Sequence, residues 1–411
     1  MKRHFAYNLV SLGSRLLVGL VLFVILARLW GPEKFGLFTF VFSFTTLLVL
    51  LVDFGFHLYL LREVARSPAQ AAVLIADSFS AKLVLVAGTI AIGLCLFAAI
   101  GPKALPPSVA IPLFLTALAL SFSELFVAPL RALGHFDQEA IVVVFANVVQ
   151  FGLVGLTAWI GGSVEQVAWA MFVSRGTFLL LAYRTIHKEV PQLVLRAPDA
   201  RGAMETLRRV WTYGTEAILI LAWSHLDIVA VRTLFGTEVA GTYSAGQKIV
   251  VGLGAVTAVV GNVMIPRLSK LAERQDLRFW KATRNTILTM SAIGAVIALP
   301  FMLMPGILIE TLYGLQFRGL IQLMPFFGLI VFVRYTNVAA GAAAVAAGLF
   351  RTRIFAPLSG LATTGLLLPV IAQVSRVPSS FMVIYLLGIS VMTASNIWSL
   401  TRLWARRRQG S

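Results

Sequence analysis

Cysteine is nearly missing: Cys95 stands alone in 411 residues, so an intramolecular disulfide is excluded and cysteine usage says nothing about redox compartment. Charge is scarce as well. Only 12% of residues are charged and 17 are carboxylates, well below the usage of a soluble globular protein. A glycine-rich phosphate loop ending in Lys-Ser/Thr, a His-Glu-x-x-His pair and a Cys-x-x-Cys pair are all absent. ATP hydrolysis and metal catalysis therefore lack their usual sequence support, and neither a cofactor nor a metal site is expected.

What fills the chain instead is apolar: 59% of residues, with a mean hydropathy of +0.89. This is the composition of a polytopic, all-α membrane protein, because a spanning helix needs about 20 mostly apolar residues. Twelve such runs can be placed, at 8–29, 35–60, 74–100, 108–131, 140–160, 164–186, 210–231, 240–265, 284–304, 320–347, 353–374 and 380–402. Lys2 and Arg3 ahead of the first run imitate a signal peptide, yet no small-x-small cleavage site follows, so helix 1 is expected to be retained.

A polar hinge between the first two runs recurs. Gly31, Glu33, Gly36 and Phe38 return as Gly236, Glu238, Gly241 and Tyr243, an offset of 205 residues, with Arg28 and Arg232 ahead of each set and Arg62 matched by Arg267. An offset near half the chain predicts duplicated halves. The spacing reads as a tight helical hairpin: Gly31 takes a left-handed turn, Pro32 suits the first turn of the next helix, and Gly36 permits close backbone approach. Glu33 lies where a helix N-terminus favours negative charge and could pair with Arg28.

With six runs per half, the second half enters from the same side as the first, a parallel repeat about an axis along the membrane normal. The predicted organisation is a six-helix bundle over 1–186, a linker over 187–209 and a second bundle over 210–411. Lys and Arg should collect on the cytoplasmic side. With an inner N-terminus, 23 basic residues fall on inner segments and 6 on outer ones, which predicts cytoplasmic termini and a cytoplasmic linker. The net charge of +17 is then mostly topology. These charges flank spans in short loops and form no single basic face, so a nucleic-acid partner is not expected. Pro266 to Arg284 alternates basic residues with Leu268, Leu271, Phe279 and Trp280 and reads as an amphipathic helix on the inner leaflet. The longest outer turn, Pro305 to Gly319, leaves no room for an outer catalytic domain. Pro112, Pro129, Pro300, Pro325, Pro357 and Pro369 fall inside spans and should bend them. The small-residue run 339–348 suits close helix packing.

Ionisable residues inside spans cost about 2.5–3.5 kcal/mol each at a helix centre, so each requires a reason. The cations are Arg15, Lys82, Arg175, Lys248 and Arg334; the anions are Asp53, Asp77, Glu124, Glu216 and Asp227. Arg15, Asp53, Lys82 and Glu124 lie about two turns from the cytoplasmic end and could be salt-bridged partners. Asp227 could pair with Arg232. Arg175 and Arg334 fall mid-span, one in each half and with no carboxylate expected at their depth, which points to a cationic cavity that attracts anions. Arginine's fork matches phosphate oxygens, so a phosphate-bearing amphiphile is the cargo this pattern suggests.

Asn8, Arg15, the hinge Leu26-Ala27-Arg28-Leu29-Trp30-Gly31-Pro32-Glu33-Lys34-Phe35-Gly36, Asp53-Phe54-Gly55, Arg62-Glu63, Ile265-Pro266-Arg267-Leu268-Ser269 and Leu312-Tyr313-Gly314 together resemble polysaccharide-biosynthesis flippases of the Wzx type. These belong to the multidrug/oligosaccharidyl-lipid/polysaccharide exporter superfamily. The resemblance implies a two-lobed, MATE-like bundle in the cytoplasmic (inner) membrane. In it, alternating access through a cationic central cavity moves a polyprenyl-pyrophosphate-linked oligosaccharide to the outer leaflet, without enzymatic chemistry. Arg175, Arg334, Arg15, Lys82 and Lys248 are the candidate substrate-binding cations. Ion-coupled antiport is proposed in that family, which makes Asp53, Glu124 and Glu216 candidate coupling carboxylates, with a proton or sodium ion and membrane lipids as further partners. Two alternatives stay open: a multidrug or cation antiporter of the same fold, relying on those carboxylates, and a membrane glycan ligase or polymerase.

Overall fold

The architecture is that of a computed structural model, which describes residues 2–273, 277–349, 351–374 and 377–409; among them it is helical throughout, with no strand. The helices in order are α1 (Lys2–Asp53), α2 (Phe56–Arg66), α3 (Ala71–Ile100), α4 (Pro107–Ala132), α5 (Phe136–Trp159), α6 (Val164–Glu189), α7 (Ala200–Phe235), α8 (Thr237–Glu273), α9 (Leu277–Leu303), α10 (Pro305–Leu312), α11 (Met324–Ala346), α12 (Thr352–Val374) and α13 (Pro378–Gln409). Each expected apolar run lies mainly on one long helix, α1 carrying two of them, but the run 35–60 crosses the break at Phe54 and Gly55 into α2 and the run 320–347 begins in a 3-10 segment. Among the described residues, nine helical segments are long and apolar enough to cross a membrane. The chain is a multi-pass membrane protein.

Two compact units emerge, Met1–Leu29 with Leu37–Val229, and Trp30–Gly36 with Ala230–Ser411. Their boundary lies inside α7 and not in the 187–209 linker, because that linker is tied to the first unit. Ser80 Oγ donates to the Ala197 carbonyl at 2.8 Å and accepts from the Asp199 amide at 3.1 Å, Arg196 pairs with Asp77, and Val190 and Leu193 are buried. The first half of α7 also packs against the corner between α1 and α2. There Phe54 (φ 33°) and Gly55 (φ 73°) break the helix, and a Cβ on Gly55 would stand 2.6 Å from the Tyr213 backbone.

Within the second unit the two copies of the hinge meet. Gly31 (φ 74°, ψ 175°) and Gly236 (φ 90°) both hold backbone conformations that side chains disfavour, and the ψ at Gly31 puts it in a region open essentially to glycine alone. A Cβ on Gly36 would stand 2.0 Å from the Thr237 carbonyl oxygen, and one on Gly241 would stand 1.8 Å from the Pro32 carbonyl oxygen. Pro32 and Thr237 are themselves 205 apart, as are Gly36 and Gly241. The contact thus maps onto itself when the copies are exchanged, as a two-fold contact must.

Three expectations are revised. The stretch 305–319, expected as a turn, is folded: α10 and a 3-10 segment (Leu315–Leu323) occupy it, Tyr313 is buried and donates to the Ala245 carbonyl at 2.8 Å, and Phe317 packs edge-on against Phe35 at 6.3 Å. Pro325 sits in the first turn of α11, where a missing N–H costs nothing, so it bends no span. Residues 266–284 are no separate surface helix: 266–273 prolong α8, 277–284 open α9, and 274–276 lie outside the described residues. The small-residue run does pack as expected, with Ala339, Ala340, Ala343 and Ala344 buried and Asn396 donating to Asn337 at 3.1 Å beside it.

Candidate functional site

The first unit gathers charges from six helices. α1 ends at Asp53, and a carboxylate at a helix C-terminus is disfavoured by the macrodipole, so it needs compensation. Lys82 on α3 supplies it at 3.3 Å, His57 lies 3.5 Å away, and Ser121 Oγ on α4 donates at 3.0 Å. Lys82 is fully buried. Its ammonium also donates to Ser121 Oγ (2.6 Å) and to the Ser121 carbonyl (2.9 Å), between the faces of Phe56 and Phe122 at 5.7 and 5.3 Å. All three of its protons are engaged.

A second cluster adjoins it. Arg15 on α1 pairs with Glu124 on α4, which also accepts from Arg131 at 3.1 Å one helical face along. Glu139 on α5 is buried, accepts from Ser11 Oγ at 2.8 Å, and lies 3.8 Å from Arg15 and 3.9 Å from Arg131. Its Oε2, Arg15 Nη2 and Arg131 Nε are buried without hydrogen-bond partners among the described residues, so the cluster retains polar capacity. The expected pairing of Arg15, Asp53, Lys82 and Glu124 is therefore present, and sequence reasoning missed Glu139, Arg131, His57 and Ser121. One signal was available: Glu124 and Arg131 are seven residues apart on one helix, hence on one face.

Arg175 on α6 is the exception. It is partly buried and interacts electrostatically with Arg15 and Glu124, but no carboxylate lies within ion-pair distance of it among the described residues. Its guanidinium stands 5.9 Å over the Phe178 ring. Counting Arg15, Lys82, Arg131 and Arg175 against Asp53, Glu124 and Glu139 leaves one cation in excess.

The second unit holds its candidates more sparsely. Arg334 on α11 is partly buried and its guanidinium lies against Gly254 of α8, where a Cβ would stand 3.4 Å from Nη2. The neighbouring Tyr335 hydroxyl donates to the Leu253 carbonyl at 2.7 Å, fixing α11 to α8. No carboxylate pairs with Arg334 among the described residues. Lys248 is partly buried on α8; Glu216 is on α7, its side chain outside the described residues. Asp227 is buried and accepts from the Ile228 amide at 2.8 Å.

This geometry, a helical bundle with paired charges in one unit and, in each unit, an arginine that pairs with no carboxylate among the described residues, can be set beside known proteins. Residues 1–272 match the family described as polysaccharide biosynthesis protein. The chain belongs to that family. A search of curated proteins found no match. Among solved structures, the fold resembles a multidrug resistance MATE family transporter of the MOP superfamily in its inward-facing conformation. Its TM-score is 0.70 at 15% identity, covering 99% of this chain and 96% of that one. It also resembles a MOP superfamily transporter from Pyrococcus furiosus, whose binding pocket of reverse polarity is said to suggest a different function (TM-score 0.64, 16% identity, 97% and 94% covered). At these identities the likeness establishes the two-lobed MOP fold.

Proposed function

We propose that this polysaccharide biosynthesis protein is a flippase that moves polyprenyl-diphosphate-linked oligosaccharide from the inner to the outer leaflet of the cytoplasmic membrane by alternating access. Arg175 carries the reading. A guanidinium held inside the first unit, with Glu124 and Glu139, the described carboxylates of the neighbouring cluster, paired to Arg15 and Arg131, is a group open to an anion, and a diphosphate offers oxygens that fit its fork. Arg334 is the corresponding cation of the second unit. Arg15 is shared between Glu124 and the substrate, whereas Lys82, buried with its donors spent, holds Asp53 and does not contact cargo. Lys248 remains a secondary candidate.

The pairing pattern also weighs against a drug or cation antiporter, since such a protein needs a carboxylate open to a cationic substrate. Asp53 and Glu124 are each held by cations instead. Within this fold, pocket polarity differs between members, as the transporter from Pyrococcus furiosus illustrates. For ion coupling, the carboxylates we assign are Asp53, Glu124 and Glu216.

The experiment is surface-glycan display in a strain lacking the gene, normalised to membrane-extracted protein. Arg175→Ala and Arg334→Ala each abolish display at near-normal abundance, and lysine at either position restores part of it because charge persists without the fork. Full display with alanine at both positions would overturn the proposal.

A further inference from the structure

Four charged side chains of the first unit form a ring, and one of them stands midway between two partners. Glu124 bridges two arginines, with one carboxylate oxygen on Arg15 Nη1 and the other on Arg131 Nη2 at 3.1 Å. Glu139 completes the ring. Its Oε1 is held by Ser11 Oγ at 2.8 Å and lies 3.8 Å from Arg15 Nη2 and 3.9 Å from Arg131 Nε, at the edge of ion-pair distance and beyond hydrogen-bond reach of both. The two guanidinium nitrogens that face it and its own Oε2 are buried with no hydrogen-bond partner among the described residues. Glu139 is thus nearly equidistant from two unused donors and can close on either.

The backbone holds these members unequally. Arg131 lies in the last turn of α4 and Glu139 in the first turn of α5, each at the helix end whose dipole suits its charge. Only residues 133–135 separate the two helices, and their amides donate to the Pro129, Arg131 and Leu130 carbonyls at 2.9, 3.2 and 2.9 Å, which fixes Arg131 against Glu139. Arg15 reaches the ring from α1. Its side chain is 30% exposed against 1% for Glu139, so it is the member placed to meet a ligand.

We propose, on the reading above that Arg15 and Arg175 meet the diphosphate of the cargo, that Glu139 and Arg131 form an exchange pair that releases Arg15 to that anion. When Arg15 turns to the anion, Glu139 Oε1 closes on Arg131 Nε while Glu124 keeps Arg131 Nη2. Both carboxylates then share one guanidinium through separate N–H groups, which arginine's fork of five donors permits. Without such a partner, taking Arg15 away would leave an uncompensated charge in the interior, which is strongly unfavourable. The negative charge that remains rests at the N-terminus of α5 and in the field of His57 and Lys82, both of which interact electrostatically with Glu124. When the anion departs, Glu124 takes Arg15 back, so the guanidinium is not left bare in the membrane. Glu139 and Arg131 act through Arg15 and are positioning residues that do not themselves touch cargo.

The test is binding of farnesyl diphosphate, with farnesol as the uncharged control, to the full chain purified in detergent, by isothermal titration calorimetry beside thermal melting of each variant. The parent is expected to bind the diphosphate and not the alcohol, and Arg15→Gln to weaken it. Glu139→Gln removes the carboxylate that must find a new partner when Arg15 leaves, and should tighten binding about fivefold. Glu139→Asp keeps the charge but withdraws it by one methylene from Arg131 Nε, and should weaken binding by a similar factor. Arg131→Lys replaces the fork with a point charge and should weaken it as well. Asp77→Asn, a charge change elsewhere in the unit, should leave it unchanged. Opposite effects of amide and aspartate at one position cannot come from lost folding, which would weaken both and lower the melting temperature. Should Glu139→Gln not fold, Glu139→Asp and Arg131→Lys decide. Equal weakening by both changes at Glu139, or parent-like binding by Glu139→Asp or Arg131→Lys, would overturn the exchange and leave the anionic cargo standing. A parent that binds no diphosphate, or binding that survives Arg15→Gln, would overturn the role given to Arg15 and the exchange with it.

Discussion

Replacing Lys82 with methionine isolates what the first charge cluster contributes. The ammonium is buried and holds Asp53 and Ser121, so its loss strands a carboxylate that, among the described residues, His57 and Ser121 still face. Breaking a buried pair from one side costs about 3–5 kcal/mol. Lys82→Met should therefore lower the apparent melting temperature of the detergent-solubilised protein and its membrane abundance, and adding Asp53→Asn should recover much of both. A single variant that melts like the parent would show that the pair contributes no stability. At this scale the sequence was half legible. Ionisable residues inside apolar runs announce themselves, which is why Arg15, Asp53, Lys82, Glu124 and Arg175 were found. Glu139 and Arg131 sit at run ends, where hydropathy assigns them to loops, and only the fold brings them under Arg15. The diverging fates of Lys82 and Arg175, one saturated and one open, depend on where Ser121 and Phe178 point, and spacing does not encode that.

Glycines at the hinge act at the scale of elements. Gly36 and Gly241 let two helix starts touch backbone to backbone, with the Thr237 and Pro32 carbonyls where each Cβ would go. Alanine at either position cannot be absorbed by a side-chain shift, because the opposing atoms are backbone on both sides. Gly36→Ala and Gly241→Ala should each reduce monodisperse protein in size-exclusion chromatography severely. Gly13→Ala and Gly19→Ala, with nothing within 4 Å, should be neutral or gain up to about 1 kcal/mol from helix propensity. Equal tolerance at all four positions would refute the close contact. The repeat in the sequence exposed these glycines, and the turn conformations at Gly31 and Gly236 follow from it. It did not reveal that the two copies pack on each other, because an internal repeat specifies equivalence and leaves contact open. Nor did it reveal that the stretch 305–319, expected as an outer turn, folds against the first hinge. Short amphipathic helices with a buried Tyr313 and Phe317 lack the length that marks a span.

Across the whole molecule, the distribution of basic residues makes a claim that can be checked residue by residue. Of the basic residues outside spans, 23 fall on segments that twelve crossings place together and 6 on the opposite ends. Lys and Arg near spans resist translocation while carboxylates contribute little, so this bias sets orientation regardless of the few acids. The linker is the most informative point, since it joins the two halves and is held on α3 by Ser80 and Asp77. If it faces the cytoplasm, the turn between α3 and α4 must face outward, an odd number of crossings away. Cys95 is exposed on α3 and would react, so the experiment begins from Cys95→Ser. In that background Gln192→Cys and Lys103→Cys place single thiols at exposed positions on the linker and on the turn. A membrane-impermeant maleimide applied to intact cells should modify Lys103→Cys and leave Gln192→Cys untouched until the cells are permeabilised. Labelling of the linker from outside would invert the topology. Arg175 would then be approached by cargo from the wrong side for export. Orientation and cargo direction therefore stand together on the outcome at Gln192.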